Sequence, residues 1–148
     1  SLALHEALGD KGNMAANCGN LGNICRSLGD LDNAEKMHLK ALALFEEIDS
    51  EAGIAATYTN LGNVFGTRDN PVYEEEMFRK SLTMYQEVSG PETMALLHCT
   101  LAGVFQARGD VAAACGRLVK ARDLVAETGD ASMIAEVDGM MESLGCDL

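Results

Sequence analysis

The four residues Asn60-Leu61-Gly62-Asn63 occur a second time, forty positions earlier, as Asn20-Leu21-Gly22-Asn23. Forty positions later, their place is held by Thr100-Leu101-Ala102-Gly103. The register continues on both sides without a gap, so that Lys40 and Lys80 also align. An ungapped internal period of this length is typical of a repeat array, in which every unit stacks on its neighbours.

Each unit of the repeat predicts two helices. In the central unit, residues 55–68 and 71–88 carry apolar side chains at the spacing of one helix face. Asn70-Pro71 separates the two helices, because Asn is a good N-cap and proline suits a first helical turn. We expect Gly90 to end the second helix in the left-handed conformation. The other units have breaks at Gly29-Asp30, Asp49-Ser50, Gly109-Asp110 and Gly129-Asp130.

The breaks divide the chain into a half repeat (1–10), three full repeats (11–50, 51–90 and 91–130) and a terminal helix (131–148, helical over 131–144). Helix pairs that repeat cannot bury their apolar faces alone. The predicted fold class is therefore all-α, a right-handed α-solenoid of antiparallel helix pairs. Because the array opens inside a unit and the first residue is not Met, we expect a fragment of a longer protein.

The three units share an order of residue types. The matching residues are Cys18, Leu21-Gly22, Cys25, Gly29-Asp30, Ala34, His38 and Ala41; Tyr58, Leu61-Gly62, Phe65, Phe78 and Ser81; and His98, Leu101-Ala102, Phe105, Gly109-Asp110, Ala114, Leu118 and Ala121. This order resembles the tetratricopeptide repeat (TPR), whose usual period is about 34 residues. The period of 40 residues found in this chain, with Asn-Leu-Gly-Asn, is similar to the repeats of Pins-type spindle adaptors, kinesin light chains and bacterial TPR regulators.

Small residues mark the predicted helix crossings. Glycine inside a helix costs about 1 kcal/mol relative to alanine, so Gly22, Gly62 and Ala102 indicate a packing requirement at one repeated position. Glu74 departs from the family pattern, which has a small residue where the paired helices approach most closely. Because burying a carboxylate is costly, we expect the helix to shift there or the side chain to escape.

Composition excludes several partners. The chain has 11 basic and 23 acidic residues, a net charge of -12. Nucleic acids and anionic membrane surfaces require clustered Lys and Arg, so neither is expected as a partner. No apolar run approaches the roughly 20 residues of a membrane span. The five cysteines have neither a zinc spacing nor a secreted disulfide pattern, which predicts a reducing, cytoplasmic location.

Candidate catalytic groups are interpreted as packing residues. His38 aligns with Phe78 and Leu118, and His98 aligns with Tyr58. His5 likewise replaces an aromatic residue, and we expect all three histidines, with Cys18 and Cys25, at core positions. Paired acids such as 74–76 are expected on a solvated outer face. No nucleophile, phosphate-loop or metal motif is present, so the sequence predicts no enzyme, no cofactor and no metal.

The first helices differ from the second helices in charge. Segments 15–28, 55–68 and 95–108 contain no acid, and their only full charges are three arginines. In the TPR family the first helices line a concave groove, and amide side chains there can pair with the backbone of an extended peptide. The alternative is that some of these amides brace helix turns. The predicted peptide-binding residues are Asn20, Asn23, Arg26, Thr59, Asn60, Asn63, Thr100 and Gln106.

The resemblance also separates this chain from one TPR class. Chaperone-binding members hold a carboxy terminus with two Asn and three basic residues. Asn23 and Asn60 match the two Asn, but Gly19, Leu96 and Thr100 stand at the basic positions. The sequence therefore predicts a protein-interaction scaffold that does not clamp a free chain terminus. The alternatives are weak self-association through exposed terminal helices, or a sensor module within a larger regulator or enzyme.

Overall fold

The computed structural model describes residues 2–147, and each regular element within that range is an α-helix. The all-α prediction is therefore confirmed. The helices predicted over 71–88 and 131–144 have these bounds. The elements in the described range are α1 (Leu2–Ser27), α2 (Leu31–Glu47), α3 (Glu51–Thr67), α4 (Pro71–Val88), α5 (Pro91–Ala107), α6 (Val111–Thr128) and α7 (Ala131–Leu144).

The helices form two compact units, which divide within α4 between Met84 and Tyr85. In unit 1, α1 packs against α2 and α2 against α3. In unit 2, α5 packs against α6 and α6 against α7. Each unit is therefore built from consecutive helices that fold back on each other as hairpins.

Helix α1 runs unbroken across the predicted boundary between the half repeat and the first full repeat. Its packing begins at Lys11, which forms an ion pair with Glu47 at 2.8 Å, and at Gly12, beside Ile48. Residues 2–10 are exposed. The expectation that His5 is a core residue is therefore wrong, because α2 packs against α1 only from residue 11 onward.

Left-handed residues end most of the helices. Gly29 and Gly109 have φ of +80° and +79°, and the aspartate after each accepts a backbone hydrogen bond as the next N-cap. The prediction that Gly90 is left-handed is wrong, since its φ is -77° and its ψ is 174°. Gly90 is instead the N-cap of α5, where Pro91 keeps the preceding residue extended.

The paired helices approach most closely at the small residues predicted for this role. A Cβ atom placed on Gly22 would lie 2.6 Å from His38 Nε2, and one placed on Gly62 would lie 2.8 Å from Phe78 Cε1. No Cβ fits at these distances unless the facing ring moves. His38 and Phe78 are fully or almost fully buried, so the core position predicted for His38 is confirmed.

Glu74 lies at a helix crossing, opposite Gly66. A Cβ on Gly66 would come within 2.5 Å of Glu74 Oε1, so the glycine leaves the space that the half-buried carboxylate occupies. In the other repeats the larger residue is on the first helix of the pair and the smaller one on the second. Arg26 and Gln106 align with Gly66, and buried alanines align with Glu74. Glu74 is therefore accommodated by a reversed distribution of side-chain size across the crossing.

Unit 2 has a continuous apolar core, tied by a disulfide bond. The core comprises Ala95, Ala102, Phe105, Ala114, Leu118, Ala121, Val125, Val137 and Met141. Cys115 of α6 and Cys146 beyond α7 are joined by a disulfide, with their Cα atoms 5.5 Å apart. The interpretation of the cysteines as a set without disulfides is therefore wrong for this pair. The reason is that α7 folds back along α6 and brings together two residues separated by 31 positions.

Candidate binding faces

The predicted asparagines lie on α1 and α3, two helices of unit 1 that touch each other. Asn20 is exposed, whereas Asn23, Asn60 and Asn63 are half-buried. Among the described residues, the side-chain amides of Asn60 and Asn63 have no hydrogen-bond partner. These two amides are not bracing helix turns, which was the alternative interpretation for some of the asparagines.

Two other predicted residues of unit 1 are engaged in packing. The hydroxyl of Thr59 lies 2.7 Å from that of Ser81 on α4, and Ser81 in turn donates to the carbonyl of Ala55. Arg26 is half-buried with its Nε atom unpaired, and its charge acts on His38 in α2. Thr59 therefore links α3 to α4, and its hydroxyl is occupied within the fold.

One of the three arginines of the first helices, Arg68, is held in ion pairs. Arg68 caps the end of α3 and forms ion pairs with Asp32, at 2.6 Å, and with Glu35. Both acids belong to α2. The charge of Arg68 is therefore balanced within unit 1.

A different surface opens between α5 and α7 in unit 2. This cavity has a volume of about 260 Å³, and we call it the α5–α7 pocket. It contains Thr100 from the predicted set, while Gln106 lines a separate, smaller depression. The lining residues are Ala95, Leu96, Cys99, Thr100, Met133, Glu136, Val137 and Met140. Residues of α7 were absent from the prediction, although aligning 131–144 with the other first helices would have indicated them.

The α5–α7 pocket is apolar with one charged group. Leu96 is 61% exposed, so its side chain is open to a ligand. The Thr100 hydroxyl donates to the backbone carbonyl of Leu96 at 2.9 Å, so it can only accept a hydrogen bond from a ligand. Burial, and secondarily the charge of Glu136, raises the pKa of the Cys99 thiol. Cys99 therefore remains a neutral thiol, and Glu136 supplies the charge of the site.

The buried histidines are shaped for packing rather than for proton transfer. Burial, with the charges of Arg117 and Lys120, lowers the pKa of His98 to about 4. Burial, followed by the charge of Arg26, lowers the pKa of His38. Both imidazoles are therefore neutral at pH 7. No group of three or more metal-ligating side chains occurs among residues 2–147, and within the same range no helix is long and apolar enough to cross a membrane.

An exposed apolar stripe runs along α1. Leu21 and Ile24 are 50% and 55% exposed, whereas Leu61 and Val64, at the same repeat positions in α3, are 2% and 0% exposed. Helix α2 packs against α3, and no described helix covers the corresponding face of α1 in unit 1. The stripe also includes Met14 and Leu28.

The repeated helix hairpins define a helical-repeat protein. The family model of the tetratricopeptide repeat matches residues 13–87, just over half of the chain. The chain belongs to the tetratricopeptide repeat family. No curated protein matches it significantly.

Solved structures share the fold at low sequence identity. BtubC (BKLC) from P. vanneervenii aligns with a TM-score of 0.73 and 24% identity, over 78% of this chain and 48% of that one. This chain thus spans about half the length of that structure. The N-terminal domain of stress-induced protein-1 (STI-1) from C. elegans aligns with a TM-score of 0.68 and 18% identity, over 87% and 95% of the two chains. A putative kinesin light chain from Podospora anserina, with nearly identical TPR-like repeats, aligns with a TM-score of 0.67 and 15% identity, over 90% and 71%.

Proposed function

We propose that the chain is a protein-interaction scaffold whose first helices bind an extended peptide or a segment of a partner domain. The observation that supports this proposal is the pair of unpaired, half-buried amides of Asn60 and Asn63 on α3. Membership in a family of interaction modules agrees with it. No catalytic role is proposed, because the buried histidines are neutral and serve the core.

The amides suit the chemistry of a peptide backbone. A carboxamide both donates and accepts hydrogen bonds, so each can replace the water on one backbone N–H or C=O group of a ligand. Since the Asn side chains are half-buried, a bound peptide would exclude water from them. Losing one such bond while its partner stays buried typically costs about 1–3 kcal/mol.

A double variant tests this assignment. The change Asn60→Ala with Asn63→Ala should weaken peptide binding at least about fivefold. Thermal stability should hardly change, because these amides bond to nothing within the fold. The matched control is Glu75→Gln with Glu76→Gln on α4, which should alter affinity little at physiological salt. Titration calorimetry with peptides selected on the wild-type chain gives the comparison, and intact affinity in the Asn variant with loss in the Glu variant would refute the proposal.

Self-association is the second candidate function, and the α1 stripe is the observation that favours it. Two exposed stripes could pair as isologous surfaces in a dimer. Light scattering over a range of concentrations should then show a mass that rises with concentration, and Leu21→Glu with Ile24→Glu should abolish the rise. A constant monomer mass at all concentrations excludes this function.

A further inference from the structure

We infer that the α5–α7 pocket receives an aliphatic side chain of a peptide that carries Lys or Arg two residues away. The inference rests on the proposed function and specifies its partner. It assigns binding to α7, a helix that holds none of the predicted peptide-binding residues. Three properties of the pocket support the inference: its size, its lining and its charge.

The size of the pocket favours a single side chain. Sites for small molecules and cofactors typically have volumes of about 300–1,000 Å³, whereas this pocket has about 260 Å³. It is lined by Met133, Val137 and Met140 from α7 and by Leu96 from α5. Methionine adapts to the shape of an apolar group. A leucine, isoleucine or methionine side chain therefore fits in size and in polarity.

The repeat itself shows that this apolar character is local. At the positions that correspond to Leu96, Met133 and Met140, the α1–α3 pair has Ala16, Gly53 and Asn60. The α1–α3 face is thus small and amide-rich, while the α5–α7 face is large and apolar. The two units therefore present different chemistry on equivalent helices, and unit 2 selects a side chain where unit 1 offers hydrogen bonds to backbone.

The charge of the pocket determines which type of residue is favoured near the aliphatic residue of the bound peptide. Glu136 is exposed and is the one charged side chain of the lining. The chain as a whole carries -12, so basic peptides are also attracted at long range. In an extended peptide, residues two apart point to the same side. An aliphatic residue in the pocket therefore brings the residue two positions away onto the same face as Glu136, where Lys or Arg forms an ion pair and Glu is repelled.

The experiment uses an array of short peptides, acetylated and amidated so that their ends are neutral, incubated with the complete chain. Three series place Lys, Gln or Glu two residues from a central Leu. We expect binding to follow the order Lys, Gln, Glu. Glu136→Lys should reverse this order, while Glu136→Gln should weaken the Lys series by about 2- to 5-fold. Glu142→Gln is the matched control, since it removes the same charge from an exposed position of α7 outside the pocket.

The apolar half of the site is tested by Leu96→Ala, which should weaken all Leu peptides by about 5- to 10-fold. Val111→Ala removes an exposed apolar side chain from α6 and should have no effect. If peptides bind but ignore both Leu96→Ala and Glu136→Lys, the pocket assignment is overturned while the proposed function stands. If no peptide of any series or of a random library binds the wild-type chain, the proposed function is overturned together with it.

Discussion

The imidazole of His38 fills the space that Gly22 leaves empty on the facing helix, and a Cβ on Gly22 would lie 2.6 Å from its Nε2 atom. The ring is fully buried, and neither of its nitrogens has a hydrogen-bond partner within the described residues. One repeat later, Phe78 occupies the same position over Gly62. His38 is therefore a polar ring in a position built for an apolar one.

We predict that His38→Phe stabilises the chain. The substitution removes two buried nitrogens without partners, each of which costs about 1–3 kcal/mol, and the Phe78–Gly62 pair shows that the crossing accepts a phenyl ring. We expect the free energy of unfolding to rise by about 1–2 kcal/mol. This gain is less than the sum of the costs of the two nitrogens, because the larger ring requires some rearrangement of its neighbours. Urea denaturation at pH 7 measures it. A lower midpoint with an unchanged slope would mean that Gly22 and His38 fit each other in a way that phenylalanine cannot.

Two glycine substitutions of the same kind should have opposite effects. Gly62→Ala places a methyl group 2.8 Å from the buried Phe78 ring, and the resulting overpacking should outweigh the helix preference of alanine, with a net loss of about 1–2 kcal/mol. Gly103→Ala is the control, since nothing lies within 4 Å of its Cβ position in the middle of α5. It should gain about 0.5–1 kcal/mol. Paired thermal melts decide the matter, and a shift of the same sign in both variants would contradict the helix-crossing interpretation.

The stability of the chain should fall with acid before its carboxylates titrate. His98 has a pKa of about 4 in the fold, against about 6.5 in an unfolded chain. Because the unfolded state binds the proton more tightly, the contribution is fully present above pH 6.5 and is lost as the pH falls toward 4. A decrease of up to about 2 kcal/mol is expected between pH 7 and pH 5.

His98→Tyr is the control for this pH dependence, because Tyr58 holds the equivalent repeat position. Denaturant midpoints measured at several pH values should decline less steeply in the variant than in the wild type, with the remaining slope supplied by His38. Parallel curves for the two proteins would show that His98 is protonated in the fold or stays neutral in both states.

The disulfide should determine how firmly α7 is attached. Cross-linking Cys115 and Cys146 closes a segment with a sequence separation of 31, which by the chain-entropy relation stabilises the fold by about 3–4 kcal/mol. We expect Cys146→Ser, or reduction of the wild type, to lower the thermal midpoint and to raise hydrogen exchange first in α7. Cys25→Ser, at a half-buried cysteine that is not cross-linked, serves as the control for the loss of a thiol. Equal exchange in α7 with and without reductant would contradict this role.

The repeat period was sufficient to predict the helices and most of their boundaries. The helix boundaries are encoded locally. Gly-Asp turns, the Asn70-Pro71 pair and the spacing of apolar residues each act on backbone that lies within a few residues of them. The same alignment correctly predicted a core position for His38. The prediction was wrong at Gly90, because Pro91 favours an extended conformation there over the left-handed one that glycine permits. It was also wrong at His5, because burial depends on a neighbouring helix rather than on alignment.

Only the tertiary structure decided which polar side chains lack hydrogen-bond partners within the fold and where cavities form between helices. Thr59 looked like Asn60 on the predicted face, but its hydroxyl meets Ser81 from another helix. The α5–α7 pocket and the Cys115–Cys146 bond likewise join residues from separate elements. The amino-acid sequence by itself determined the repeat and its helices, because these follow from interactions along one or two turns of chain. The candidate binding faces depend on distances between helices, and these distances are set when the side chains of the crossings pack.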